Sequence, residues 1–349
     1  MAFENLTERE RQVLYNLITY YIQSADPVGS RVIANRFGMG ISSATIRNTL
    51  QDLEELGLVE QPHTSAGRIP TDRGYRVYVD YLLTPDRLTA AEKQAIKKSI
   101  IKEGRNINEI LGQTARALGE ITHHLSVTIA PKFEEGKLNS IRLIPFSSDK
   151  VMVVVIVQSG LARTVILEVE ASFTPESLVE IESILNERLA GLTLAEIRKT
   201  ISERMADVQG DARIIKLVID SKERIWTEQK NDIVHIAGTD RLLSMPEFAD
   251  HQKLTPLMKI LEDDKVMSEF LSHMEDEGLI ITIGRENKLS EIMNCSVVSS
   301  TYKVGNITGS IGIIGPTRMP YNKLVSIVRY TAKSITEVLS GIESKKGVM

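Results

Sequence analysis

Apolar residues recur three and four apart at the start of the chain. Val13, Leu14, Leu17, Ile18, Tyr21 and Ile22 form one stripe behind Thr7 and Glu10, which stand at capping-box spacing. That pattern predicts a first amphipathic helix, broken at Ser24-Ala25-Asp26-Pro27. A second, short helix is predicted from Ser30 to Phe37 with Val32, Ile33 and Phe37 on its apolar side, followed by a turn at Gly38 and Gly40. Ile46, Leu50, Leu53 and Leu56 then mark a third helix, capped by Ser42 or Ser43 and stopped by Gly57. Leu58 to Gln61 reads as a strand, Pro62 to Gly67 as a turn, and Arg68-Ile69 as the return strand. A further helix is predicted from Thr71 through Leu83, where Tyr75, Tyr78 and Tyr81 sit three apart and read as packing residues. Three helices followed by a two-stranded wing are the pattern of a winged helix-turn-helix.

After Thr84-Pro85-Asp86 the chain is helical again from Thr89. Lys93, Lys97, Lys98 and Lys102 lie on its charged side, and Ile107, Ile110, Leu111, Thr114, Leu118 and Ile121 continue the apolar face. At Leu125 the pattern changes. Leu125 to Ala130, Leu138 to Pro145, Met152 to Val157 and Arg163 to Val169 are rich in valine and isoleucine and read as strands. Thr174-Pro175-Glu176 starts a helix carrying Leu178, Ile181, Ile184, Leu185 and Leu189. Thr193 starts another, with a third helical stretch over Ile214 to Trp226. A strand is expected at Asn231 to Ile236. Short helices are expected at Pro256 to Leu261 and Val266 to Met274, and strands at Leu279 to Ile283, Cys295 to Tyr302 and Ile307 to Ile314. The last two are joined by a Gly305-Asn306 turn. A long helix from Tyr321 to Leu339 and a frayed tail end the chain. The class is α+β and multidomain.

Composition narrows the function. The chain has 349 residues, a net charge of −4 and one cysteine, Cys295. No disulfide framework is possible, and a reducing, cytoplasmic setting is expected. The N-terminus lacks a secretory h-region, and the longest apolar run, Val151 to Val157, is far short of a membrane span. The glycines at 305, 309, 312 and 315 have no Gly-Lys-Ser/Thr behind them and join strands, so they read as a turn plus close packing instead of a phosphate loop. The six histidines show no metal-ligand spacing. Cys295 reads as buried and inert. The acidic runs at 262–264 and 275–277 read as solvated surface. No catalytic residue, cofactor or metal is expected, and no enzymatic activity.

The candidate chemistry lies in the third helix. With its leucine face buried, the opposite side presents Thr45, Arg47, Asn48, Gln51 and Asp52. Arg, Asn and Gln carry the donors and acceptors that read base edges in the major groove. Ser42, Ser43 and Thr45 stand at the helix N-terminus, which suits a phosphate. His63 lies on the wing tip. Arg68 and Arg73 bracket the wing and are expected on the phosphate backbone. Residues 1–83 nevertheless hold eight arginines, no lysine and ten acidic residues. Non-specific affinity grows with the number of neutralised phosphates, so such a domain depends on where its arginines sit and on being present in two copies.

Three segments carry a resemblance to a known family. They are Ser42-Ser43-Ala44-Thr45-Ile46-Arg47-Asn48, Leu53 to Leu58, and His63-Thr64-Ser65-Ala66-Gly67-Arg68-Ile69-Pro70-Thr71-Asp72-Arg73-Gly74-Tyr75. Together with Gly312 to Met319 and Tyr321, they resemble the bacterial heat-inducible transcription repressors of the HrcA family. The resemblance implies a winged helix (1–88 with the start of the linker helix) and a GAF-like domain in two parts (89–158 and 252–343). It also implies an inserted dimerisation domain (159–251), ahead of a flexible tail (344–349). A homodimer is implied, bound to the inverted-repeat operator CIRCE upstream of chaperone operons and dependent on the GroEL chaperonin for activity. The rival reading is a repressor that senses a small molecule in its GAF-like domain. On the residues themselves, the apolar face Leu178, Ile181, Leu185 and Leu189 is either a subunit contact or the insertion's own core.

Overall fold

A computed structural model describes residues 6–100, 107–169, 173–208, 212–227, 234–249, 255–259 and 278–346. Helix α1 (Glu8–Ser24) opens with the full capping box, Thr7 and Glu10 each accepting from the other's backbone, and buries Val13, Leu14, Leu17 and Ile18. Helix α2 (Ser30–Phe37) ends on Gly38 in the left-handed region. Helix α3 (Ser43–Glu55) buries Ile46, Thr49, Leu50 and Leu53. Strands β1 (Val59–Glu60) and β2 (Ile69–Pro70) pair antiparallel, and a bridge between Val28 and Arg68 adds a third rung. Two glycines make this wing possible. A Cβ on Gly67 would overlap the Val28 backbone, and one on Gly74 would overlap the Leu58 carbonyl. Helix α4 (Asp72–Val77) runs into a π-helical turn, Tyr78–Leu82. Tyr75 and Tyr78 are buried as expected of packing residues, whereas Tyr81 is exposed.

Helices α5 (Ala90–Ile100) and α6 (Ile107–Thr122) follow. They pack with the closing helix, α12 (Tyr321–Lys346), on a five-stranded antiparallel sheet. Its strands are β3 (Leu125–Ile129), β7 (Val234–Ala237), β8 (Leu279–Ile283), β9 (Cys295–Val304) and β10 (Ile307–Pro316), in the order β7-β3-β10-β9-β8. The β9–β10 hairpin turns at Gly305-Asn306, and its register runs from Val304 opposite Ile307 to Cys295 opposite Pro316. One face, with Val298, Tyr302, Ile311 and Ile313, joins a core that continues into the winged helix. The other, with Val127, Val297 and Ile314, is covered by Leu242, Phe248 and Ile292. Gly309 and Gly315 of the hairpin mark close packing. A Cβ at Gly309 would meet the Tyr302 ring, and one at Gly315 the His124 ring.

The remaining strands form a second body. β4 (Leu138–Ser147), β5 (Lys150–Val157) and β6 (Ala162–Glu168) make an antiparallel meander. Helices α7 (Pro175–Leu189), α8 (Leu194–Arg204), α9 (Ala212–Asp220) and α10 (Lys222–Trp226) cover one of its faces. The short helix α11 (Thr239–Leu243) lies back in the main body. The expected boundaries therefore shift. The division at 158/159 would cut between β5 and β6, which pair from Lys150–Glu168 to Ile156–Ala162. The second core runs from Phe133 to Trp226. β7, expected inside the insertion, hydrogen-bonds to β3 in the main sheet. β3 and β4, read together as one run of strands, belong to different sheets. Leu178, Ile181, Leu185 and Leu189 are buried within the insertion itself, so that face is its own core and offers nothing to a partner. Of the two short helices expected near 256–274, helical backbone is described at 255–259; residues 260–277, and with them both acidic runs, lie outside the described residues.

The sheet β4–β6 departs from ordinary amphipathic patterning. Val151, Val153, Val155 and Val157 point into the core. On the opposite face Ile144, Met152 and Ile166 stand side by side across the three strands. Ile144 is 45% exposed, Ile166 39% and Phe146 56%.

Candidate nucleic-acid interface

Helix α3 is held on three sides before it presents anything outward. Ser42 caps it, accepting from the Thr45 amide at 3.1 Å and meeting the Thr45 hydroxyl at 2.9 Å. Ser43 meets the Ser30 hydroxyl at 3.1 Å, which pins the first turns of α2 and α3 together. Thr49 turns its hydroxyl back onto the Thr45 carbonyl and is buried. The three N-terminal hydroxyls expected at a phosphate are thus also the fastening of the helix. Arg47, Asn48, Gln51 and Asp52 lie exposed on the side opposite Ile46, Leu50 and Leu53. Among the described residues, Arg47 and Asn48 make no side-chain hydrogen bond or ion pair. Gln51 has only a long contact, 3.4 Å, to Glu55. Their donors are directed at solvent.

The wing is stiffer than its polar sequence implies. Gln61, which the sequence pattern did not single out, donates to the Thr64 and Ala66 carbonyls at 3.1 and 2.9 Å and closes the tip. His63 is exposed there, with Nδ1 3.2 Å from the Ser65 hydroxyl. Arg68 is not a free arm. Its guanidinium donates through Nε to Glu54 at 3.0 Å, and its Nη2 lies 2.8 Å from the same carboxylate oxygen. It thereby ties the return of the wing to the last turn of α3. Arg73 is exposed but sits beside Gly57, at the base of the wing and the C-terminal end of α3, away from the tip. Arg31 was missed by sequence reading. It is exposed in the first turn of α2, next to the Ser30–Ser43 pair, where Gly29 leaves the helix without a side-chain cap. An arginine two residues after an uncapped glycine start was the available signal.

Two buried groups in the body are held in their neutral forms. Burial pushes the Cys295 thiol up to about 12, so it stays protonated. Burial also holds His124 below the usual histidine range, although the Thr122 carbonyl opposes it. Among the described residues, no group of three His, Cys, Asp or Glu side chains is placed to hold a metal, and no helix is long and apolar enough to cross a membrane.

This geometry meets its counterpart in known proteins. The family described as "Winged helix-turn-helix transcription repressor, HrcA DNA-binding" matches residues 5–80. The family described as "HrcA protein C terminal domain" matches residues 108–325. The chain belongs to the HrcA family. The heat-inducible transcription repressor HrcA of Chlorobium chlorochromatii (strain CaD3) is 37% identical over 345 residues, covering 97% of this chain and 99% of its own. That of Halalkalibacterium halodurans is 38% identical over 339 residues, covering 97% and 98%. A crystal structure described as that of a hypothetical protein has the same fold over 97% of this chain and 99% of its own, with a TM-score of 0.65 at 24% identity. Both halves of the chain, reading domain and body, thus fall within the HrcA family.

Proposed function

We propose that this chain represses transcription of heat-shock chaperone operons by binding the CIRCE inverted repeat as a homodimer, with its activity dependent on the GroEL chaperonin. The observation that carries the reading is the α3 surface: Arg47 and Asn48, unpartnered and exposed, on a helix pinned at its N-terminus and along its buried face. Such a helix enters a major groove without rearranging. A sheet of five antiparallel strands drawn from both sides of the insertion supports the GAF-like reading of the body. The insertion, 133–227, is the dimerising unit. A run apolar at every position, as Val151–Val157 is, marks a strand covered on both faces. Within the chain β5 is covered on one, and a second copy of the Ile144–Met152–Ile166 row supplies the other. A two-fold dimer then matches the two-fold operator.

The test is a titration of the protein into a CIRCE duplex and a scrambled duplex at one stated salt concentration. Specific binding should exceed scrambled binding by about 10³-fold or more. Equal affinity for the two would overturn the reading. For the chaperonin, operator-binding activity recovered after dilution from denaturant should rise with GroEL and ATP and fall as an unfolded competitor is added. Full activity without chaperonin, switched instead by a metabolite, would establish the small-molecule rival.

A further inference from the structure

The winged helix is not tethered loosely to the body. It is docked on it, and the contact has two components of different character. The first is apolar: one continuous core runs from α1 and α3 into α12 and the main sheet. The second is a set of directional bonds. Arg318, in the loop between β10 and α12, donates through Nη1 to the Ile22 carbonyl in the last turn of α1, at 2.7 Å. Its Nε donates to Glu247 Oε1 at 2.5 Å. Tyr75 of α4 packs its ring against Tyr321, 5.8 Å between centroids, and Tyr321 in turn is fixed by Ser296 and the Thr317 carbonyl. On either side of Tyr75 in α4, Arg76 pairs with Glu286 and donates to the Ile281 carbonyl at 2.6 Å, and Asp72 accepts from the Arg285 amide at 3.0 Å.

Apolar burial is non-directional and holds two bodies together without choosing an angle between them. A buried ion pair contributes little net stability, because desolvation offsets its attraction; its best-attested use is to select one arrangement. Arg318 and Glu247 have side chains only 17% and 27% exposed. Burial is the largest single influence on Arg318 and works against its charge, but the hydrogen bond and the charge of Glu247, with smaller contributions from Tyr75 and Tyr21, together outweigh it and raise its pKa. The pair is part-buried and directional, and it joins the reading domain, the segment after α11 and the loop before α12. The Gly312–Met319 run that carried the family resemblance makes no part of the DNA-facing surface, and this joint gives its arginine a role.

We propose that Arg318, oriented by Glu247, is a positioning residue for operator binding: it fixes the angle between the reading domain and the body, and so sets the separation of the two α3 helices that the operator arms must match. This rests on the dimeric reading above. Full-length protein would be compared with Arg318→Met, Arg318→Lys and Glu247→Gln on a single operator arm, the native repeat, and repeats with the spacer altered by one, two and five base pairs. Orientation would be read separately from spin-label distances between Asn35→Cys and Lys333→Cys, both exposed, with Cys295 buried and silent. Arg318→Met should bind the single arm within twofold of the unsubstituted protein. It should lose tenfold or more on the native repeat, respond only weakly to spacer length, and show a broadened distance distribution. Arg318→Lys should recover part of each. If Arg318→Met fails to fold, Glu247→Gln, which preserves shape, carries the same expectations. Unchanged spacer dependence together with an unchanged distance distribution overturns the proposal. A spacer series flat in the unsubstituted protein would instead refute the dimeric reading; the distance distribution then decides on Arg318 alone, broadening upholding its role and no change rejecting it.

Discussion

Helix α3 and the sheet β4–β6 are both two-faced elements, and each leaves one face unfinished in a different way. On α3 the buried side is apolar, the exposed side is polar, and what is left over is hydrogen-bonding capacity at Arg47 and Asn48. On the sheet one side is apolar and the other carries an apolar row between polar ones, and what is left over is Ile144, Phe146 and Ile166 in contact with water. Unspent donors call for a partner with acceptors in fixed positions, such as base edges. Uncovered apolar area calls for more apolar area and tolerates no polar substitute. On the proposed reading, the kind of incompleteness separates a DNA-reading surface from a protein-binding one without reference to charge, and the net acidity of the chain is no obstacle to either.

The comparison breaks most readily at the sheet. Phe146→Lys should turn the dimer into a monomer in sedimentation, because the substitution enters a two-fold interface twice and costs about 3–6 kcal/mol. A dimer of unchanged strength would mean that the apolar row faces no copy. At α3, Arg47→Ala should cost about 1–3 kcal/mol per operator arm while leaving the dimer intact, with the loss confined to the specific sequence. Equal weakening on a scrambled duplex would move Arg47 from base to phosphate. Arg31→Ala sharpens the division within the reading domain. It should weaken specific and scrambled duplexes alike and lower the salt slope by about one unit. Arg73→Ala, at the base of the wing, should do neither, and a full unit of slope lost there would reverse the placement. The smallest effect is expected where capacity is already spent. Ser43→Ala removes the Ser30 contact and should cost about 0.5–1.5 kcal/mol of folding stability in a denaturant melt. Operator affinity should change less than twofold; a larger loss would return Ser43 to the DNA surface.

What could be read from sequence followed the range of the interaction. The α3 face needs only residues three and four apart, so Ile46, Leu50 and Leu53 disclosed it and placed Arg47 and Asn48 on the outside. The same local logic located β3 and β4 but could not assign them to sheets, because β3 pairs with β10 and β7, both remote in the chain. For α7 the stripe told that Leu178 and Leu185 are buried, not against what. Arg68 looked free because Glu54, its partner, lies on α3 and not on the wing. The joint at Arg318 was invisible for the same reason, since Ile22 stands at the opposite end of the sequence.

Strand β3 is buried along its whole length, between neighbours that follow it in the chain. A ribosome adds about 5–20 residues per second, and about 180 residues separate the end of β3 from the start of β10. For roughly ten to forty seconds of each synthesis, then, a strand destined for full burial waits in the nascent chain without β10, and for more than half of that time without β7 as well. The reading domain, finished far earlier, is meanwhile able to fold. Each new molecule passes through a period in which it holds a competent DNA-reading helix and an incompetent body, and the length of that period is set by the size of the insertion.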